Sequence, residues 1–81
     1  MDPKIAEVLA RLAECTDEEL TDFTEVLRDA VKTAAEAKNV EELEALVQGL
    51  EDAKTETETR ATRRAEEEAK IAELLAKVEP P

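Results

Sequence analysis

The chain predicts an all-α fold: a short helix, then an antiparallel helical hairpin whose last helix extends into a long polar arm. Three observations predict it. Alanine, leucine, glutamate, lysine and arginine dominate the composition, and all favour helix. Apolar residues recur at the i, i+3, i+4, i+7 spacing of one helix face. A helix start signal stands before each of the first three apolar stripes.

Asp2-Pro3 opens the first helix, with Asp2 as N-cap and Pro3 in the first turn, where its missing N–H costs nothing. Ile5, Val8, Leu9 and Leu12 then share one face, and this helix is expected to end near Glu14 or Cys15. Thr16-Asp17-Glu18-Glu19 reads as a capping box, in which the Thr16 hydroxyl accepts from the Glu19 amide and Glu19 reaches back to the Thr16 amide. Three acids there also suit the positive end of the helix dipole. Leu20, Phe23, Leu27, Ala30, Val31 and Ala34 form the next stripe, on a second helix from Asp17 to about Ala37. Asn39-Val40-Glu41-Glu42 repeats the capping logic after a short turn, so the second and third helices are antiparallel neighbours. Leu43, Leu46, Val47 and Leu50 face back toward the second helix. The expected core is Leu20, Phe23, Leu27, Val31, Leu43, Leu46, Val47 and Leu50, with Phe23, the one aromatic, at its centre. Gly49 inside this helix costs up to about 1 kcal/mol against alanine, and close packing is the gain it points to.

After Ala53 the character changes. Lys54 to Lys70 holds only Ala61, Ala65 and Ala69 as apolar residues, and Thr55, Thr57, Thr59 and Thr62 weaken the helix. Glu56–Arg60, Glu66–Lys70 and Glu73–Lys77 are i, i+4 pairs in the favourable order, each contributing a few tenths of a kcal/mol. Ile71, Leu74, Leu75 and Val78 restore an apolar stripe, and Pro80-Pro81 stops any helix. The organisation is therefore a helical head, residues 1–53, and a polar helical arm with an apolar tip, residues 54–81. Charge divides similarly: residues 1–58 hold 17 acids against 6 bases, and residues 59–81 hold five of each.

The composition excludes several function classes. With 81 residues and a net charge of −11, the chain has no basic face for nucleic acid, and direct nucleic-acid binding is not expected. No run of 18 apolar residues spans a membrane, and the N-terminus shows neither the basic flank nor the apolar stretch of a secretory signal. Cys15 stands alone, so neither an internal disulfide nor a cysteine zinc site forms, and an unpaired thiol fits a reducing compartment. Cys15, at a helix end beside acids rather than bases, reads as a small helix-end residue and not as a reactive nucleophile. There is no histidine, and one glycine builds no phosphate loop. A paired-carboxylate catalyst needs a cleft that desolvates one acid, and so small a core does not build one. No catalytic, cofactor or metal residues are expected, and the chain reads as a non-enzyme.

Interaction residues are the remaining candidates. The acids Asp17, Glu18, Glu19, Asp22, Glu41, Glu42 and Glu44 read chiefly as helix-start charges on solvated faces, or else as a docking face for a basic partner. Arg60, Arg63 and Arg64 form the one basic cluster, available to a partner or to intrahelical pairing through Arg63–Glu67 and Arg64–Glu68. Ile71, Leu74, Leu75 and Val78 are separated from the core by 17 polar or alanine positions. A lone amphipathic helix does not hide its own face. That stripe therefore docks on another chain or folds back onto the first helix.

The stretch Leu12 to Leu20, with its Leu-x-x-Cys-Thr-Asp-Glu-Glu-Leu, the run Ala-Glu-Ala-Lys-Asn-Val-Glu-Glu-Leu from Ala35 to Leu43, and the polar arm from Arg60 to Ala69 together resemble the acidic, alanine-rich scaffolding segments of tailed actinobacterial phages. The resemblance implies capsid assembly: a small scaffold, free or joined to the shell protein, that lines the procapsid and leaves around DNA packaging. It implies the phage major capsid protein as partner, a homo-oligomer, and a location inside immature capsids in the cytoplasm of the bacterial host. The chain departs from many such scaffolds in lacking a strongly basic C-terminal helix. An acidic inhibitor that mimics DNA and a coiled-coil adaptor, natural or designed, are the alternatives. Broken heptads between residues 54 and 70 weigh against a long coiled coil.

Overall fold

A computed structural model describes residues 1–78. It is all-helical, in the order α1 (Pro3–Leu9), a 3-10 turn (Leu12–Glu14), α2 (Asp17–Glu36) and α3 (Val40–Val78). The molecule is a rod of 66 × 17 × 15 Å, a shape set by the 39 residues of α3. The helix stop expected at Pro80-Pro81 lies outside the described residues.

Each helix starts where its cap places it. The Asp2 carboxylate accepts from the Lys4 N–H at 2.8 Å, with Pro3 at the first helical position. The Thr16 box is complete: the Glu19 N–H donates to the Thr16 hydroxyl at 3.1 Å, and the Thr16 N–H donates to the Glu19 carboxylate at 3.0 Å. The Thr16 backbone N–H, and after it the Thr16 hydroxyl, hold the Glu19 carboxyl below its ordinary value. At the hairpin bend Asn39 serves both helices. Its N–H donates to the Ala34 carbonyl at 3.0 Å while the Lys38 N–H donates to Ala35 at 3.1 Å, closing α2 with a Schellman pair. The Asn39 side chain then accepts from the Glu42 N–H at 3.2 Å and opens α3. The bend places Lys38 at φ 57°, a left-handed conformation that glycine occupies more cheaply.

The first helix is shorter than its apolar stripe suggests. It closes at Leu9, and a 3-10 turn replaces the continuous helix expected to Glu14 or Cys15. The chain needs the break: Leu9 lies over Gly49, whereas the Leu12 and Ala13 carbonyls reach the level of Arg60 farther up α3. Cys15 is extended and half-buried, with its thiol aimed at the Arg11 carbonyl at 3.6 Å.

The core is Ile5, Leu20, Phe23, Leu27, Ala34, Leu46 and Ala53, with Leu27, Leu46 and Ala53 fully enclosed. Val31, Leu43 and Leu50 line its edge, half-buried. Val47 is a correction: it is 41% exposed. At 100° per residue it lies a quarter-turn or more from Leu46, outside the side that α1 and α2 cover. Ile5, Ala34 and Ala53 complete the core in its stead. Gly49 is buried as well, and a Cβ there would stand 2.8 Å from Leu9 Cδ2. The glycine thus lets the first helix close on the third. Packing continues past Ala53 as far as Arg64, so the part of α3 that stands free is residues 65–78. The threonines do not interrupt the helix, and Thr57 donates its hydroxyl to the Ala53 carbonyl at 3.0 Å.

Candidate functional site

Two places on α3 bear on function: the junction where the arm leaves the head, and the apolar tip. At the junction Arg60 projects from α3 toward the start of α2. Its Nε donates to Glu56 at 2.9 Å, one Nη donates to Asp17 at 3.0 Å, and the other donates to the Leu12 carbonyl at 3.1 Å, with Ala13 at 3.4 Å. The side chain is 14% exposed. Arg64, one turn on, also donates to Asp17. A guanidinium suits this place because its fixed fork of donors serves a carboxylate and two carbonyls together. The charges answer one another. Arg60, with Arg64 beside it, holds the Asp17 carboxyl below its ordinary range, and Glu56 and then Asp17 raise the Arg60 guanidinium above its own.

Of the basic cluster expected at a partner surface, Arg60 and Arg64 are therefore engaged by the chain's own head. Arg63 makes no ion pair among the described residues. The expected Arg63–Glu67 pair does not form, nor does Arg64–Glu68, where Asp17 draws Arg64 across to α2. Glu56–Arg60 forms as expected. Lys77 stands 3.9 Å from Glu73, and Lys70 turns to Glu73 at 3.8 Å instead of Glu66. Asp17, read from sequence as a helix-start acid, is also the anchor of the arm. A carboxylate at the first helical position after a cap signals only the former role, because its partners lie 43 and 47 residues away.

At the tip, Ile71, Leu74, Leu75 and Val78 are exposed by 56, 48, 54 and 81%. The arm does not fold back onto the first helix. It carries these four side chains clear of the head on an unbroken helix.

Among the described residues no group of histidine, cysteine or carboxylate side chains is arranged to hold a metal ion, and no helix is long and apolar enough to cross a membrane. The surface carries open grooves, one of them between α2 and α3 and lined by Thr21, Thr24, Arg28, Leu50, Lys54 and Thr57. No family model, no curated protein and no solved structure matches the chain.

Proposed function

We propose that the chain is a non-enzymatic assembly module, most concretely a scaffold for a phage capsid that self-associates through its arm and contacts the major capsid protein. The observation that carries the reading is the tip: four aliphatic side chains held in solvent at the end of a helix that is clamped at its base. An apolar stripe left bare on so small a chain favours burial against another molecule. The acidic head supports the same reading, since a net charge of −11 repels incoming DNA. The small core supports it too, because marginal stability eases removal or proteolysis once a shell has formed. Weak tip contacts, repeated over many copies, gain strength by avidity and stay reversible. On this reading the chain works inside immature capsids in the host cytoplasm.

The test is a tagged pull-down from the source at low salt, with the captured proteins identified by mass spectrometry. Recovery of a capsid shell protein is expected, together with its loss when residues 71–81 are deleted. Recovery of a basic nucleic-acid enzyme instead, unaffected by that deletion, would replace the scaffold by an acidic mimic.

A further inference from the structure

Leu46, Gly49, Leu50 and Ala53 are the α3 positions on which the rest of the head closes. The same spacing returns 25 residues later as Ile71, Leu74, Leu75 and Val78. Twenty-five residues are seven helical turns to within about 20°, so both sets face one side of a continuous helix. Along the head that side is covered. Past Arg64 it is bare.

We propose that the bare stretch is covered by the arm of a second copy, running antiparallel. Three features select this occupant and this direction. First, α2 and the turn before it already hold that side of α3 up to Arg60 and Arg64. Two copies laid parallel on it would drive their heads together, each with most of its charge in the head. Second, positions 71, 74, 75 and 78 are symmetric about their midpoint. A two-fold axis there sets Ile71 against Val78 of the second copy and Leu74 against its Leu75, the self-complementary contact that a symmetric dimer needs. The heads then lie at opposite ends, with the two Arg64 residues about 30 Å apart along the helix axis. That is several Debye lengths at physiological salt. Third, the free stretch 65–78 carries four acids and two bases, whereas residues 1–58 hold 17 acids against 6 bases. Two arms therefore meet with far less repulsion than two heads would.

Four aliphatic side chains per copy bury roughly 800 Å² in total, below the ~1,200–2,000 Å² of stable specific interfaces. The pairing is therefore weak and concentration-dependent, as an assembly that must later come apart requires. The inference deepens the scaffold reading and rests on it for its purpose, but not for its geometry.

Sedimentation velocity of the full chain over a wide concentration range tests the pairing. The mean mass is expected to rise from monomer to dimer. The double substitution Leu74→Glu, Leu75→Glu should raise the dimer dissociation constant by more than roughly tenfold. Helix content by circular dichroism stays unchanged, because both residues lie outside the core. Direction is read by cysteine cross-linking in a Cys15→Ser background. Ile71→Cys mixed with Val78→Cys should give the mixed disulfide ahead of either homodimer. A chain that stays monomeric to millimolar concentration, or that cross-links preferentially through Ile71→Cys to itself, overturns the proposal. A monomer that still binds the shell protein overturns the pairing and leaves the scaffold reading standing. A dimer with no effect on shell assembly supports the pairing and overturns the scaffold reading.

Discussion

Gly49 and Leu9 illustrate how one missing methyl sets the position of a whole helix. The buried glycine weakens α3 locally, yet it allows Leu9 to lie where a Cβ would stand 2.8 Å from Leu9 Cδ2. A double-mutant cycle is expected to expose the coupling. In a Leu9→Ala background, Gly49→Ala should stabilise the chain by up to about 1 kcal/mol, the helix-propensity gain. With Leu9 present, displacement of that side chain should cancel or reverse the gain, a coupling of about 0.5–2 kcal/mol by chemical denaturation. Additive effects would mean that Leu9 does not lie over Gly49. Asp17 is the second residue of consequence. Its carboxyl is depressed by Arg60 and then Arg64, so the folded state binds its proton less readily than the unfolded state does. The stability it contributes is present above its unfolded value near 3.8 and is lost as pH falls through the lower folded value. The melting difference between wild type and Asp17→Asn should accordingly be greatest near neutral pH and shrink below about pH 4. A difference that holds constant to pH 2 would show that Asp17 acts without its charge.

At the scale of elements, capping explains where helices begin, and a single bend explains how two of them pair. Asn39 closes α2 through its N–H and opens α3 through its side chain, so the hairpin has almost no loop. The cost falls on Lys38, held at φ 57°. Lys38→Gly should stabilise the chain by about 0.5–1 kcal/mol, since glycine takes that conformation freely. Loss of stability in thermal melts would mean that the Lys38 side chain contributes more than its backbone strain removes. The same scale explains why α3 does not fray at its threonines. Glu56 and Arg60 are bonded along the helix, and Arg60 ties that turn to Asp17 and to the Leu12 carbonyl. Local pairs alone would contribute only a few tenths of a kcal/mol. The cross-helix bonds convert an exposed helical arm into one fixed to the head at its base.

For the whole molecule, the consequence is a division between a packed part ending at Arg64 and a free part beyond it. The side chains of residues 65–78 are exposed, so a chain ending after Arg64 should keep its fold, with an unfolding free energy within roughly 0.5 kcal/mol of the full chain. The same truncation should abolish concentration-dependent association. Urea titration followed by circular dichroism, with sedimentation alongside, checks both. Marked loss of stability would show that the arm contributes to the head in a way its exposure does not reveal.

The helical class, the three caps, the hairpin and most of the core were legible in the chain itself, because caps and apolar periodicity act over a few residues and leave their mark in order along it. Leu20, Phe23, Leu27 and Leu46 sit where their spacing places them. The candidate interaction residues were legible in part. The aliphatic tip was visible as a stripe, whereas the engagement of Arg60 and Arg64 with Asp17 was not, since a salt bridge spanning more than 40 residues has no periodic signature. Val47 looked like core for the same reason. Apolar spacing identifies a stripe on a helix, but which flank of it is covered depends on where the neighbouring helices lie. The early end of α1, the enclosure of Ala34 and Ala53, and the alignment of the tip with the covered side of the head all follow from three helices meeting around Gly49 and Arg60. Local sequence sets what each segment becomes; contacts between segments far apart in the chain set which faces are hidden and which remain for a partner.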